Sequence, residues 1–373
     1  MTPKGINQHY KLGSRLKQEY LQELRILDDS PILPELLHVY TSNTDRTILS
    51  VSSLVDGMFP YVSQSFIVEG EPDLTGKNYQ GIRIHIADTA RKWTPVLHGY
   101  KNNPKFDFIK KKAFENATLF KEVAKDPKYL ALLDKLWDMT HHECISPEKD
   151  IVKRFSHMGP LYNQISIERA LKMPLFANTK NIYLTSSDEE MIETLAEESR
   201  HIHFTGNNSD EQRELGRAGA GLLPLALIDS FRKRINNLET REPPRKKIVL
   251  FSAHDYTIMS LLSHLGFRDW VLPNFAAYLI FELHRINSAY YVRLRYNPDP
   301  MVFKKSNELR DYIIPMNGSC TVMKDAPRGM MEYQEFERTV MLVKKSFATE
   351  DEWYQDAHSV DEVIAEEAKR ESK

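Results

Sequence analysis

One short apolar run constrains the fold more than any other stretch: Ile248-Val249-Leu250-Phe251, preceded by Arg245, Lys246 and Lys247 and followed at once by Ser252-Ala253-His254-Asp255. Four consecutive apolar residues between polar flanks suit a strand buried on both faces, and such strands belong to parallel sheets. From Ile258 onward, Ile258, Met259, Leu261, Leu262 and Leu265 recur at helical spacing, and Gly266 stands where a helix is left through a glycine. Residues 247–266 are therefore expected to run strand, turn, helix, and the chain to be an α/β protein. His254 and Asp255 then lie between a strand's carboxyl end and a helix's first turn. Open α/β sheets place their ligands there, and the helix N-terminus attracts anions.

A second crossing of the same kind lies nearer the start. Leu36-Leu37-His38-Val39-Tyr40 suits a buried strand, and helical spacing runs from Thr47 to Phe59 until Pro60 stops it. Arg46 sits where that strand hands over to that helix. One crossing ending in Arg and another in His-Asp is an arrangement that converges on a phosphate or carboxylate.

The remaining chain frames these crossings. Residues 5–24 read as an amphipathic helix, followed by a turn cluster at residues 28–31. Between about residues 69 and 208, Lys-rich and aromatic stretches read as helices, with a strand suggested only at residues 182–184. Residues 215–235 read as one helix whose small residues, Gly216, Ala218, Gly219, Ala220 and Gly221, permit close packing against the sheet, with Pro224 near a kink or the true start. Residues 276–283 and 290–296 alternate as two strands. The acidic segment from residue 350 reads as a solvated helix or a disordered tail anchored by Trp353 and Tyr354.

Composition excludes several classes of function. The 373 residues carry 50 basic and 52 acidic side chains, a net charge of −2, which offers no field for nucleic acid or an acidic membrane surface. No apolar run reaches transmembrane length, and residues 1–10 hold no signal-peptide core. Two cysteines, Cys144 and Cys320, make no disulfide framework. His141-His142-Glu143-Cys144 matches no metal-ligand spacing and reads as a surface cluster at a helix end, so neither a metal nor a cofactor is expected. His201 and His203 alternate as a strand or turn would place them and read as structural. The sequons at Asn116, Asn207 and Asn317 are no more than composition produces by chance.

Four stretches in series carry a resemblance. Thr2-Pro3-Lys4-Gly5 with Gln8-His9-Tyr10 and Leu12-Gly13, then residues 42–47, then Ser252-Ala253-His254-Asp255 before Leu261-Leu262 and Leu265-Gly266, and finally residues 275–283 and 290–296 resemble the histidine acid phosphatases in order and spacing. The resemblance fades in the middle insertion and the tail. It implies a phosphoglycerate mutase-like mixed sheet flanked by helices, with residues 1–68 and 209–345 as the α/β core, 69–208 as a mainly helical cap insertion and 346–373 as an acidic tail. It also implies a small phosphomonoester as substrate, with His254 hydrogen-bonding the phosphate, Asp255 as proton donor and Arg46 holding two oxygens through its planar fork. His254-Asp255-Tyr256-Thr257 is more like the acid and lysophosphatidic acid phosphatase branches than the phytases. Relatives are usually secretory or lysosomal and disulfide-rich, a composition this chain does not share; compartment and a homodimer both stay open.

The resemblance also exposes a gap. The family's first strand ends in Arg-His-Gly-x-Arg-x-Pro, which carries the histidine nucleophile, and this sequence holds no Arg-His-Gly; its Arg200-His201 pair lies far from the expected position. The chain is expected to start inside the family's domain, at the first helix. Without a nucleophile, rates fall by several powers of ten, on the order of 10⁶ in a hydrolase of another class. Removing a central strand is further expected to leave two unpaired sheet edges and an open core. Two readings follow: a family phosphatase whose recorded start is wrong, or a shortened relative that binds phosphorylated ligands without turning them over. Plain structural roles exist for each site residue as well, Asp255 as a helix N-cap, Arg46 in a turn pair with Asp45 and His254 as a satisfied histidine at a strand end.

Overall fold

Thr2 and Pro3 start the first helix for a local reason. The Thr2 hydroxyl accepts the Gly5 N–H at 3.1 Å, and Pro3 occupies the first turn, where its missing N–H costs nothing. The helix is α1 (Pro3–Leu16), two residues earlier than its apolar pattern announces, and it continues through a wider turn over Lys17–Glu23. In this computed structural model the described residues are 1–27, 36–60, 62, 64–68, 81–87, 94–177, 182–240, 246–268, 270–300, 311–312 and 330–371. The turn expected at residues 28–31, Asn317 and Cys320 lie outside them.

The strands are β1 (Leu37–Thr41), β2 (Gln64–Val68), β3 (Ile82–Ile86), β4 (Ile248–Ser252), β5 (Tyr278–Ile286), β6 (Ala289–Asn297), β7 (Asp311–Tyr312) and β8 (Met330–Glu332). After α1 come α2 (Asp45–Met58), α3 (Pro104–Asn116), α4 (Thr118–Val123), α5 (Pro127–Thr140), α6 (Ile151–Ser156) and α7 (Met158–Ala170). They are followed by α8 (Ser186–Thr205), α9 (Ser209–Ala220), α10 (Leu223–Glu239), α11 (Asp255–Leu265), α12 (Tyr333–Arg338), α13 (Glu350–Ala357) and α14 (Asp361–Glu371).

A parallel sheet of order β2-β3-β1-β4 carries both crossings. The expected pair of unpaired edges around a missing strand does not arise, because β1 and β4 pair with each other from Leu37↔Ile248 to Thr41↔Ser252. Hydrogen bonds extend the pairing at both ends, Lys247 N–H to Leu36 O at 2.9 Å and Ser42 N–H to Ser252 O at 3.0 Å. Each strand thereby satisfies the other's backbone groups. One face of this sheet, with Leu37, Val39, Ile82 and Ile84, packs on Val51, Val55 and Met58 of α2. The other carries rings: Tyr40 lies 5.4 Å from His85 and 5.5 Å from Phe251 between centroids.

Strand β3 corrects the sequence reading. It lies in a stretch read as helical, because Ile82-Arg83-Ile84-His85-Ile86 is only five residues long and alternates one buried residue with one half-buried polar one. Residues 182–184, suggested as a strand, are irregular, and residues 215–235 form two helices rather than one, broken at Gly221, whose φ of +56° ends α9. Pro224 stands in the first turn of α10, as a true start. Within the small-residue patch, Gly219 and Gly221 pack against residues 95–99, where a Cβ on Gly99 would stand 2.7 Å from Gly219 O and Leu222 N–H reaches Pro95 O at 2.8 Å, while Ala220 joins a core with Val292 and Leu294 of β6.

The antiparallel pair β5–β6 turns through Asn287 and Ser288, both at positive φ (47° and 70°), the two-residue hairpin loop whose twist matches the strands. On β5, Glu282 is buried among Arg293, Arg295, His284 and Tyr20. Burial alone raises its pKa, yet hydrogen bonds from His284, Arg293, Tyr20 and Arg295 hold the carboxyl well below the usual range. Trp353 on α13 is fully buried beside Phe347, while Tyr354 is 52% exposed, so the tail has one anchor rather than two.

The chain forms two compact units, residues 1–103 with 217–359, and residues 104–216 with 360–373. The second unit is helical, with a core of Phe120, Leu133, Leu136, Phe155, Ile192 and Leu195. His201 and His203 lie in its helix α8, not in a strand or turn, and His203 stacks on Phe204 at 4.4 Å. No helix among the described residues is long and apolar enough to cross a membrane.

Candidate functional site

The carboxyl ends of β1 and β4 lie side by side, so the residues that follow them meet. Ser42 leaves β1 and Arg46 stands in the first turn of α2; Ser252 ends β4 and His254 caps α11. The Arg46 guanidinium donates to His254 Nδ1 at 3.1 Å, and His254 Nε2 lies 3.0 Å from Ser42 Oγ. Arginine only donates, so Nδ1 accepts, and the neutral ring carries its proton on Nε2 and donates to Ser42. Ser42 donates its own O–H to Thr47 Oγ1 at 2.8 Å, and the single Thr47 O–H is shared between Ser42 O at 2.8 Å and Thr44 O at 2.9 Å. A one-directional chain of donors thus fixes the imidazole's tautomer and orientation.

Arg46 therefore turns to His254, where the plain reading paired it with Asp45. Asp255 is the first residue of α11, one position after the cap, and its Oδ1 accepts the Tyr256 N–H at 3.0 Å. A carboxylate there faces the positive end of an eleven-residue helix. The Thr257 hydroxyl donates to Leu97 O at 2.7 Å, tying this turn to residues 94–103.

That segment supplies site residues the sequence reading missed. His98 lies against His254 with ring centroids 4.7 Å apart and planes tilted by 35°, and Tyr100 meets Tyr256 edge-on at 5.5 Å. Residues 94–103 have no strand or helix period, so nothing in the pattern singles them out; their position depends on the close approach of Gly99 to Gly219 and Gly221. Burial pushes the His254 pKa down to about 3, helped by His98, Arg46 and Lys101. His98 is pushed down to about 4 by burial and then by Lys101 and Arg46. Both imidazoles are neutral at ordinary pH, and among the described residues the fixed charges named around them are the cations Arg46 and Lys101 and the carboxylate of Asp255. Donors, excess positive charge and a helix N-terminus together suit a small oxyanion.

Among the described residues no group of three or more His, Cys, Asp or Glu could hold a metal ion. His141 ends α5 in the left-handed conformation at φ 47°, the helix-end position expected for that His-His-Glu-Cys cluster.

Residues 1–297 match the histidine phosphatase superfamily (branch 2). Prostatic acid phosphatase of Rattus norvegicus is 23% identical over 339 residues, covering 87% of this chain and 80% of that protein. Lysophosphatidic acid phosphatase type 6 of Pongo abelii is 23% identical over 80% of this chain, which spans 60% of that protein's length. The solved phytase of Hafnia alvei in complex with tartrate superposes with a TM-score of 0.60 at 15% identity, covering 91% of this chain and 86% of that one, a likeness of fold.

Proposed function

The chain belongs to branch 2 of the histidine phosphatase superfamily, and from that premise we propose that it recognises the phosphate group of a small phosphomonoester. Arg46 binds the phosphate oxygens, the His254 Nε2–H exchanges its Ser42 partner for a phosphate oxygen, and Asp255 stands as the acid for a leaving alkoxide. The observation that carries this reading is the Arg46–His254 hydrogen bond of 3.1 Å, which joins two crossings 208 residues apart in sequence. The guanidinium fork suits two equatorial oxygens, and the Ser42–Thr47 chain holds the imidazole ready without help from substrate.

Hydrolysis in this superfamily proceeds through a phosphohistidine, and the nucleophile needs a histidine in line with phosphorus. Residues 1–373 contain no Arg-His-Gly, and His254, held by Arg46 and Ser42, is a binding group. The alternative for the chain as given is phosphate recognition without turnover. Purified residues 1–373 are expected to give no rate above background with a generic aryl phosphate at about pH 5, since loss of a nucleophile removes several powers of ten. A tartrate-sensitive rate would show that another residue serves as nucleophile. The transcript upstream of Met1 separates the family reaction from a binding role: an in-frame Arg-His-Gly-x-Arg-x-Pro supports the first, a stop codon the second.

A further inference from the structure

His98 plays no part in the phosphate reading above, yet it is built into the same site. It is 8% exposed, its ring lies tilted against His254 with centroids 4.7 Å apart, and its Nδ1 is sealed from solvent with no hydrogen-bond partner among the described residues. Buried polar atoms are nearly always satisfied, and an unsatisfied one beside an anion site calls for a partner brought from outside. The charged and titratable groups facing it are Lys101 and Tyr100 from its own segment, Arg46 from α2, and His254, Asp255 and Tyr256 from the start of α11. Of these Asp255 alone brings negative charge, so before an anion arrives a proton on His98 is opposed by Arg46, Lys101 and the lack of water. A tetrahedral dianion at Arg46 and His254 reverses that balance, because two negative charges next to the imidazole compensate an imidazolium.

We propose that His98 is a further anion-binding residue of this site, taking up a proton from solvent as a phosphate-like dianion enters. The inference rests on the phosphate reading of Arg46 and His254. The proton comes from buffer acid and stays on the His98 ring; no bond to the ligand forms or breaks. Proton uptake makes the site an acid-favouring binder, with affinity rising about tenfold for each unit of falling pH per coupled proton. His98 has no counterpart in the reaction's acid and nucleophile roles, so its contribution reads out in binding.

Sulfate is the probe, since it keeps two negative charges through the working range and brings no titration of its own. Calorimetric titration of the full chain in two buffers of different ionisation enthalpy, at about pH 5.5, counts protons taken up per sulfate bound. The wild-type chain is expected to take up about one proton or more, and His98→Gln, which keeps a donor but does not titrate, about one fewer. His98→Leu, which preserves apolar packing, should match His98→Gln and guards against a folding defect in either. In both variants the plot of log affinity against pH should flatten by about one decade per pH unit. Uptake and slope unchanged from wild type in a folded variant would overturn the proposal and leave His98 as packing, with the phosphate reading intact. Failure of the wild-type chain to bind sulfate, or of inorganic phosphate to displace it, would remove the phosphate reading and this inference together.

Discussion

At the scale of single residues, Arg46 and Asp255 have opposite relations to a bound anion. Arg46 contributes charge-assisted hydrogen bonds, each about 1.5–3 kcal/mol, so Arg46→Ala should weaken phosphate binding by about ten- to a hundredfold in a calorimetric titration. Arg46→Lys should recover little of it, since a point charge replaces a planar fork that also steadies His254 Nδ1. Wild-type affinity in the Lys variant would mean that charge alone matters. Asp255 is the site's like charge. Unit charges about 4 Å apart repel by roughly 1 kcal/mol in water, so Asp255→Asn should tighten phosphate binding by about fivefold. Weaker binding in Asp255→Asn would move Asp255 from proton donor to organiser of the anion site.

At the scale of elements, the site depends on how α1 and α2 cross. A Cβ on Gly57 would stand 2.1 Å from Tyr10 O, and one on Gly13 2.0 Å from Leu54 O, so the two helices touch backbone to backbone at those glycines. Because α2 carries Arg46 and Thr47 at its start, a shift of this crossing disturbs the donor chain to His254. Gly57→Ala should lower stability by about 2 kcal/mol, the scale of overpacking where backbone has to move, seen as a lower urea midpoint. Gly5→Ala is the matched control: its Cβ would meet the flexible Met1 side chain at 3.3 Å and the Thr2 hydroxyl at an ordinary 3.6 Å. Alanine there should be neutral or stabilising by up to about 1 kcal/mol through helix propensity. Equal losses in both variants would rule out the close crossing as the cause.

At the scale of the whole molecule, buried neutral histidines set the response to acid. Burial pushes His9, His38 and His98 down to about 4 and His254 and His264 to about 3. Their folded values lie below the unfolded value near 6.5, so between about pH 6.5 and 4 the unfolded chain binds more protons and stability falls as pH falls. Each such histidine costs on the order of 1 kcal/mol by about pH 5.5. The urea midpoint should therefore drop markedly between about pH 7.5 and 5.5; a flat profile would mean that these side chains are hydrated. Several features of the molecule were legible in the sequence: both strand-to-helix crossings, the first amphipathic helix, the β5–β6 strand pair and the candidates Arg46, His254 and Asp255. Each rests on a local period or on a motif whose chemistry is contained in a few residues. What only the tertiary structure decided was the direct pairing of β1 with β4, the strand β3 hidden in a five-residue alternation, and the arrival of His98 beside His254. The first and last depend on glycine contacts and hydrogen bonds between segments more than a hundred residues apart, and β3 on its pairing with β1 and β2; a one-dimensional pattern carries no term for them.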